Sequence, residues 1–225
     1  TNGTDGLDNK PTNKHMNHHT VLGEPMVGLI SHQGERGDAN DDSCDFFPVE
    51  CGFPVHSGPM SHVIHVGVIA DGVSATMNGT QASRIATATI RAQLQGGPGR
   101  NETLSEWLES SIEQANDEIL YEARRTPDLE NMSTTIVVAA LAGPKLDVMH
   151  LGDSRAYLLR EDQIFLLTAD HTWTEEAMAA GTITAEEAIS HPARNQLQRF
   201  LGAKTMVQVD RGVIDPTTKL HEEYI

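Results

Sequence analysis

The chain is built around the run His62-Val63-Ile64-His65-Val66-Gly67-Val68-Ile69-Ala70-Asp71-Gly72. Its β-branched run has no helical spacing, and a continuous apolar run of this length marks a strand buried on both faces. A strand held that way ends rigidly. Where it stops, an Asp and a Gly stand side by side, so one carboxylate and one accessible backbone carbonyl project from a fixed frame. Hard divalent cations take such oxygens. An Asp-Gly pair is also an ordinary turn between two elements, and the neighbouring segments decide between the two.

Upstream, Met26 to Ser31 reads as a first strand and leads into a loop, residues 32–43, that packs Arg36 among Glu35, Asp38, Asp41 and Asp42. That loop is either a solvated acidic surface or a charged site, and Arg36 either pairs with Asp38 or Asp41 or stands ready for an anion. Ser43 to Val49 is a strand neighbouring the decisive one, across a Gly/Pro-rich excursion from Glu50 to Met60. Residues 1–24 are Asn- and Thr-rich with a loose histidine cluster, His15, His18 and His19, and are expected to form a flexible polar tail before a single domain over 25–225.

Downstream of Gly72, Ala82, Ile85, Ala86, Thr89 and Ile90 recur at helical spacing up to Gly96-Gly97-Pro98. A second helix begins at Thr103, with Glu106 at capping-box spacing, and buries Leu104, Leu108, Ile112, Ala115 and Ile119 before Pro127. Two amphipathic helices each cover a face, most simply of a sheet. Thr134 to Leu141, Lys145 to Leu151, Arg155 to Arg160 and Gln163 to Thr168 then follow through short links, which predicts an antiparallel meander. Helical patches at Thr174 to Ala180 and Ala185 to Ile189 and a last strand near Met206 to Ile214 complete the pattern.

Composition narrows the function classes. A net charge of −16, from 32 acidic against 16 basic residues, argues against nucleic acid or an anionic membrane as the main partner and leaves carboxylates for cations. No apolar run is long enough to span a bilayer, and no basic-then-apolar leader opens the chain, so a soluble, cytoplasmic protein is expected. Cys44 and Cys51 could pair or bind metal, and lone thiols are expected in a reducing compartment.

Several segments then fall into one known order. Arg36 with Asn40-Asp41-Asp42-Ser43, Ala70-Asp71-Gly72 with Gly79-Thr80-Gln81-Ala82-Ser83, Ser133-Thr134-Thr135, Gly152-Asp153-Ser154-Arg155, and Leu167-Thr168-Ala169-Asp170-His171-Thr172 occur in sequence. Gly181 to Ala188, His191-Pro192-Ala193-Arg194-Asn195 and Leu201-Gly202 follow them. In this order they resemble the bacterial metal-dependent type 2C protein serine/threonine phosphatases.

The resemblance implies an α+β fold, an α-β-β-α sandwich of two antiparallel sheets flanked by helices. It implies hydrolysis of phosphoserine and phosphothreonine in proteins by a metal-bridged hydroxide, with two or three Mn2+ or Mg2+ ions. Asp71 is the implied bridging ligand, the Gly72 carbonyl completes one ion's shell, Asp41 acts through a water, and Asp42 and Asp153 serve a further ion. Arg36 is the implied phosphate clamp, because its planar fork can hold two non-reacting oxygens. The implied partner is a phosphoprotein made by a serine/threonine kinase, met by a monomer.

Asp170-His171 is expected to tie the meander to the following helix, and Arg155 to fix the hairpin. The sequence departs from the family twice. No His follows Asp71-Gly72 to protonate the leaving group, since Val73 to Asn78 contains none. The family's Ser-Asp-Gly strand and final Asp-Asn do not occur, and Asp210 and Asp215 match no motif. The domain is therefore expected to lack its last metal-binding segment, and a non-catalytic phosphatase-like module binding a phosphoprotein or regulatory partner is the alternative.

Overall fold

The computed structural model describes residues 25–35, 40–50, 63–73, 78–205 and 207–214. The expected polar tail over 1–24, Arg36, Cys51, His62 and Asp215 lie outside the described residues.

β1 (Asp42–Glu50) and β2 (Val63–Asp71) pair antiparallel along their full length. β3 (Ile136–Ala142) joins the other side of β2, and β4 (Lys145–Leu151) follows through the Gly143 turn, whose φ of 60° suits glycine. β7 (Asp210–Ile214) closes the order β1-β2-β3-β4-β7, antiparallel throughout. β5 (Tyr157–Arg160) and β6 (Gln163–Leu166) form a separate two-stranded antiparallel sheet. With α1 (Gly79–Gln95), α2 (Leu104–Arg125), α3 (Trp173–Ala179) and α4 (Ala185–Ser190), this is an α+β fold with two antiparallel sheets.

The core lies between the larger sheet and the pair α1 and α2. Ala82, Ala86, Ile90 and Leu94 bury one stripe of α1, and the small residues at its start bring the helix close to β1 and β2. Leu108, Ile112, Ala115 and Ile119 are fully buried on α2. The helix begins as its sequence requires: the Glu106 amide donates to the Thr103 hydroxyl at 3.3 Å, while the Glu106 carboxylate accepts from the Thr103 amide at 2.8 Å.

Three expectations need correction. β2 is not buried on both faces, because Ile64, Val66, Val68 and Ala70 face the helices while His65 is half-buried and Ile69 is 48% exposed. Antiparallel sheets tolerate one open face, so an unbroken apolar run does not require two covers. Met26 to Ser31 forms no strand, and Met26 and Ile30 are exposed, since apolar residues alone make no strand without a ladder partner.

The meander also breaks after β4. Residues 152–156 turn out of the sheet instead of making a hairpin, and β7 takes the place expected for β5, with Asp210 opposite His150. Gly152 at φ 108° allows the departure. Arg155, bonded to Asp170 at 2.8 and 2.7 Å, holds it there.

Candidate functional site

The start of β1 and the end of β2 meet. Asp42 stands opposite Asp71 in the antiparallel register, and the Gly72 amide donates to the Asp41 carbonyl at 3.1 Å. Behind them the first turn of α1 touches the strand end through two glycines. A Cβ on Gly72 would lie 2.3 Å from the Gly79 backbone, and one on Gly79 would lie 2.6 Å from Gly72. Glycine at both positions lets the helix N-terminus reach the site, and Thr80 and Ser83 then bind Asp41. The Thr80 hydroxyl donates to its carboxylate, and the Ser83 hydroxyl donates to its carbonyl at 2.6 Å.

Asp71 is held through its main chain by the stretch leading into β3. Its amide donates to the Thr135 hydroxyl at 3.0 Å, and its carbonyl accepts from the Thr135 amide at 2.9 Å and the Thr134 hydroxyl at 2.9 Å. The Thr135 hydroxyl also bonds Ser154 at 2.7 Å, one residue past Asp153. One buried hydroxyl thus joins the Asp71 segment to the Asp153 loop.

The electrostatics follow from this gathering of acids. Burial pushes the Asp71 carboxyl up to about 6, the charge of Asp42 and a hydrogen bond with its carboxylate add to the effect, and Asp153 and Asp41 push the same way. Asp153 is raised as well, chiefly by burial, against its own backbone hydrogen bond. Among the described residues, only His150, His171 and Asp210 bring three ligand-capable atoms within 4.8 Å of one another.

In that trio, His171 and Asp210 are already engaged with each other and with their neighbours. The Gly152 amide donates to His171 Nδ1 at 3.0 Å, which puts the ring proton on Nε2, facing Asp210 Oδ2 at 3.1 Å. Arg199 grips the same Asp210 at 2.7 and 3.3 Å. Burial lowers His171 to about 4, so it is neutral at pH 7. Burial works to raise Asp210, but Arg199 and His171 outweigh it and hold that carboxyl low.

Asp41, Asp42, Asp71, Gly72 and Asp153 are thus brought to one end of the larger sheet. Asp210 is engaged elsewhere. Asp170 binds Arg155 ahead of β5 instead of tying the meander to α3, and Arg155 fixes the chain's exit from the sheet where a hairpin was expected, while His65 stacks on Phe46 at 6.0 Å between ring centroids. Sequence reasoning missed Thr80 as a partner of Asp41 and the joining role of Thr135. It also treated His171 only as a structural tie. The signal available was their place inside motif segments.

The donor set suits a hard divalent cation, because it is all oxygen and gathers carboxylates around Asp71, whose own carboxyl is pushed up by burial and then by the neighbouring Asp42 charge. Fold and site together define a two-sheet α+β protein with an all-oxygen carboxylate centre at the strand ends. A family model described as protein phosphatase 2C matches residues 32–208. The chain belongs to that family.

The serine/threonine phosphatase Stp of Listeria innocua is 34% identical over 149 residues, covering 65% of this chain and 59% of the relative. The chain therefore spans less than two thirds of the length of that relative. The solved S. agalactiae serine/threonine phosphatase is similar in structure, with a TM-score of 0.71 at 29% identity, covering 83% of this chain and 73% of the other. The catalytic domain of the serine threonine protein phosphatase PstP, solved in complex with two manganese ions, superposes with a TM-score of 0.57 at 25% identity, covering 77% of this chain and 73% of that one.

Proposed function

We propose that this chain is a metal-dependent phosphatase domain acting on phosphoserine and phosphothreonine in proteins. The observation that carries it is the meeting of Asp41, Asp42, Asp71 and Asp153 at one strand end, with Asp71 raised by burial first and by its acidic neighbours as well. Membership of a family whose relatives include the Listeria phosphatase supports the same chemistry.

Asp71 would hold two cations, with the Gly72 carbonyl beside it. Asp42 and Asp153 would serve a further ion, and Asp41, oriented by Thr80, would hold a water of the cation shell. When bound, Mn2+ or Mg2+ supplies the Lewis acidity that activates a water for in-line attack and neutralises phosphate charge. Arg36 would clamp the non-reacting phosphate oxygens. The leaving alkoxide would take its proton from water or from another group of the site, since Val73 to Asn78 carries no histidine. The substrate would be the product of a serine/threonine kinase, and the protein a cytoplasmic monomer; among the described residues no helix is long and apolar enough to cross a membrane.

The test is hydrolysis of a phosphothreonine peptide and a small aryl phosphate with Mn2+, beside Asp71→Ala. Mn2+-dependent turnover that the substitution abolishes is expected. Mn2+ binding without turnover would favour the non-catalytic module instead.

A further inference from the structure

His171 takes no part in the chemistry above, yet it grips the residue beside Asp153 from two directions. Its main-chain amide donates to the Gly152 carbonyl at 3.0 Å, and its Nδ1 accepts the Gly152 amide at 3.0 Å. The side chain is 1% exposed, so neither bond competes with water. Gly152 has little room to answer by moving. Its φ is 108°, and a Cβ there would stand 2.6 Å from the Thr135 methyl.

The grip depends on one tautomer. Nδ1 accepts only while the ring proton sits on Nε2, and Asp210 holds that proton from 3.1 Å while Arg199 holds Asp210. On its main-chain side, His171 is tied again, its carbonyl accepting from the Gln198 amide at 2.8 Å. The line Arg199, Asp210, His171, Gly152 thus runs from β7 to the loop that carries Asp153.

We propose that His171 is a positioning residue for cation binding: it fixes Gly152, and through it places Asp153 toward Asp71, with Asp210 holding the required tautomer. This rests on the metal-dependent reading given above. It also explains how Asp210, outside any family motif, can matter to the site without being a ligand. His171→Asn keeps an acceptor near the position of Nδ1 but cannot reach Asp210, whereas His171→Leu removes both bonds at similar bulk.

The experiment is calorimetric titration of the whole chain with Mn2+ for wild type, Asp71→Ala, His171→Leu, His171→Asn and Asp210→Ala, with far-ultraviolet circular dichroism and thermal unfolding of each. His171→Leu should weaken Mn2+ binding about tenfold or more, as loss of an orienting outer partner does, with native secondary structure retained. His171→Asn should recover most of that loss, and Asp210→Ala should fall between.

His171→Leu binding Mn2+ as wild type does, or His171→Asn binding no better than His171→Leu, overturns the proposal. If His171→Leu does not fold, the Asn and Asp210→Ala variants decide, and wild-type affinity in Asp210→Ala counts against it. Wild-type protein showing no Mn2+ binding sensitive to Asp71→Ala overturns the metal-dependent reading and this proposal together. Sensitivity to Asp71 with none to His171 overturns this proposal alone.

Discussion

Asp71 and Thr135 bond each other in both directions: the Asp71 amide donates to the Thr135 hydroxyl at 3.0 Å, and the Thr135 amide donates to the Asp71 carbonyl at 2.9 Å. The pair continues the β2–β3 register beyond the last ladder bonds and carries it to the acidic centre. Thr135 also meets Ser154, so two chain segments far apart in sequence share one buried oxygen. Placement of Asp71 is therefore set by the sheet, and the Asp153 loop is tied to it through that oxygen.

Thr135→Val, which keeps the shape and removes the hydroxyl, leaves the Asp71 amide without its acceptor. A loss of about 1–3 kcal/mol in urea unfolding is expected, the cost of one unsatisfied buried donor. Thr135→Ser should restore most of it. Equal destabilisation by Ser and Val would mean the methyl, not the oxygen, matters.

Gly72→Ala puts a methyl 2.3 Å from the Gly79 backbone and 2.7 Å from the Asp41 carbonyl. Backbone cannot yield as a flexible side chain does, so a loss of about 3 kcal/mol is expected from overpacking. Denaturant midpoints of Gly72→Ala and of Gly97→Ala check this. Gly97 has open space around it, so its loss reports only the strain of its φ of 84°.

The raised Asp71 carboxyl sets a pH dependence in the cation-free protein. Its folded value is about 6 against about 3.9 in an unfolded chain, so its contribution to stability is fully present below about 4 and is lost as pH rises through about 6. His171 runs the other way, folded about 4 against about 6.5 unfolded, and destabilises as pH falls through that window. Asp71→Asn isolates the first effect. In the presence of chelator, its stability advantage over wild type should be larger at pH 7 than at pH 4. Mn2+ must also displace the Asp71 proton, so its half-saturating concentration should rise as pH falls from 7 to 5.

On the proposed function, the lack of a histidine after Gly72 would leave the departing group with little protonation. Hydrolysis should then depend steeply on leaving-group acidity, p-nitrophenyl phosphate exceeding phenyl phosphate by about tenfold or more, since a general acid is worth about 10²–10⁴. A flat dependence across aryl phosphates would place an acid elsewhere in the site.

Local signals were the legible ones. The Thr103–Glu106 box, the stripes of α1 and α2, and the Asp71-Gly72 strand end are all written within a few residues and appear in the structure nearly as expected. What failed was pairing. Nothing in residues 152–156 says that β5 leaves the sheet, because the cause lies partly in Asp170, which anchors Arg155 from 15 residues away. Likewise, β7 docks on β4 through a register that brings Asp210 opposite His150 and within reach of His171. Met26 to Ser31 shows the converse, an apolar run whose strand depended on a partner that local sequence does not specify.

Anomalous scattering from a crystal of the chain grown with Mn2+ would locate the cations that the acidic centre is proposed to hold. The predicted result is density between Asp71 and the Gly72 carbonyl, with Asp42 or Asp153 near a further ion, and none at His150, His171 and Asp210. Density at the histidine pair instead, or none beside Asp71 in Mn2+-saturated crystals, would contradict it.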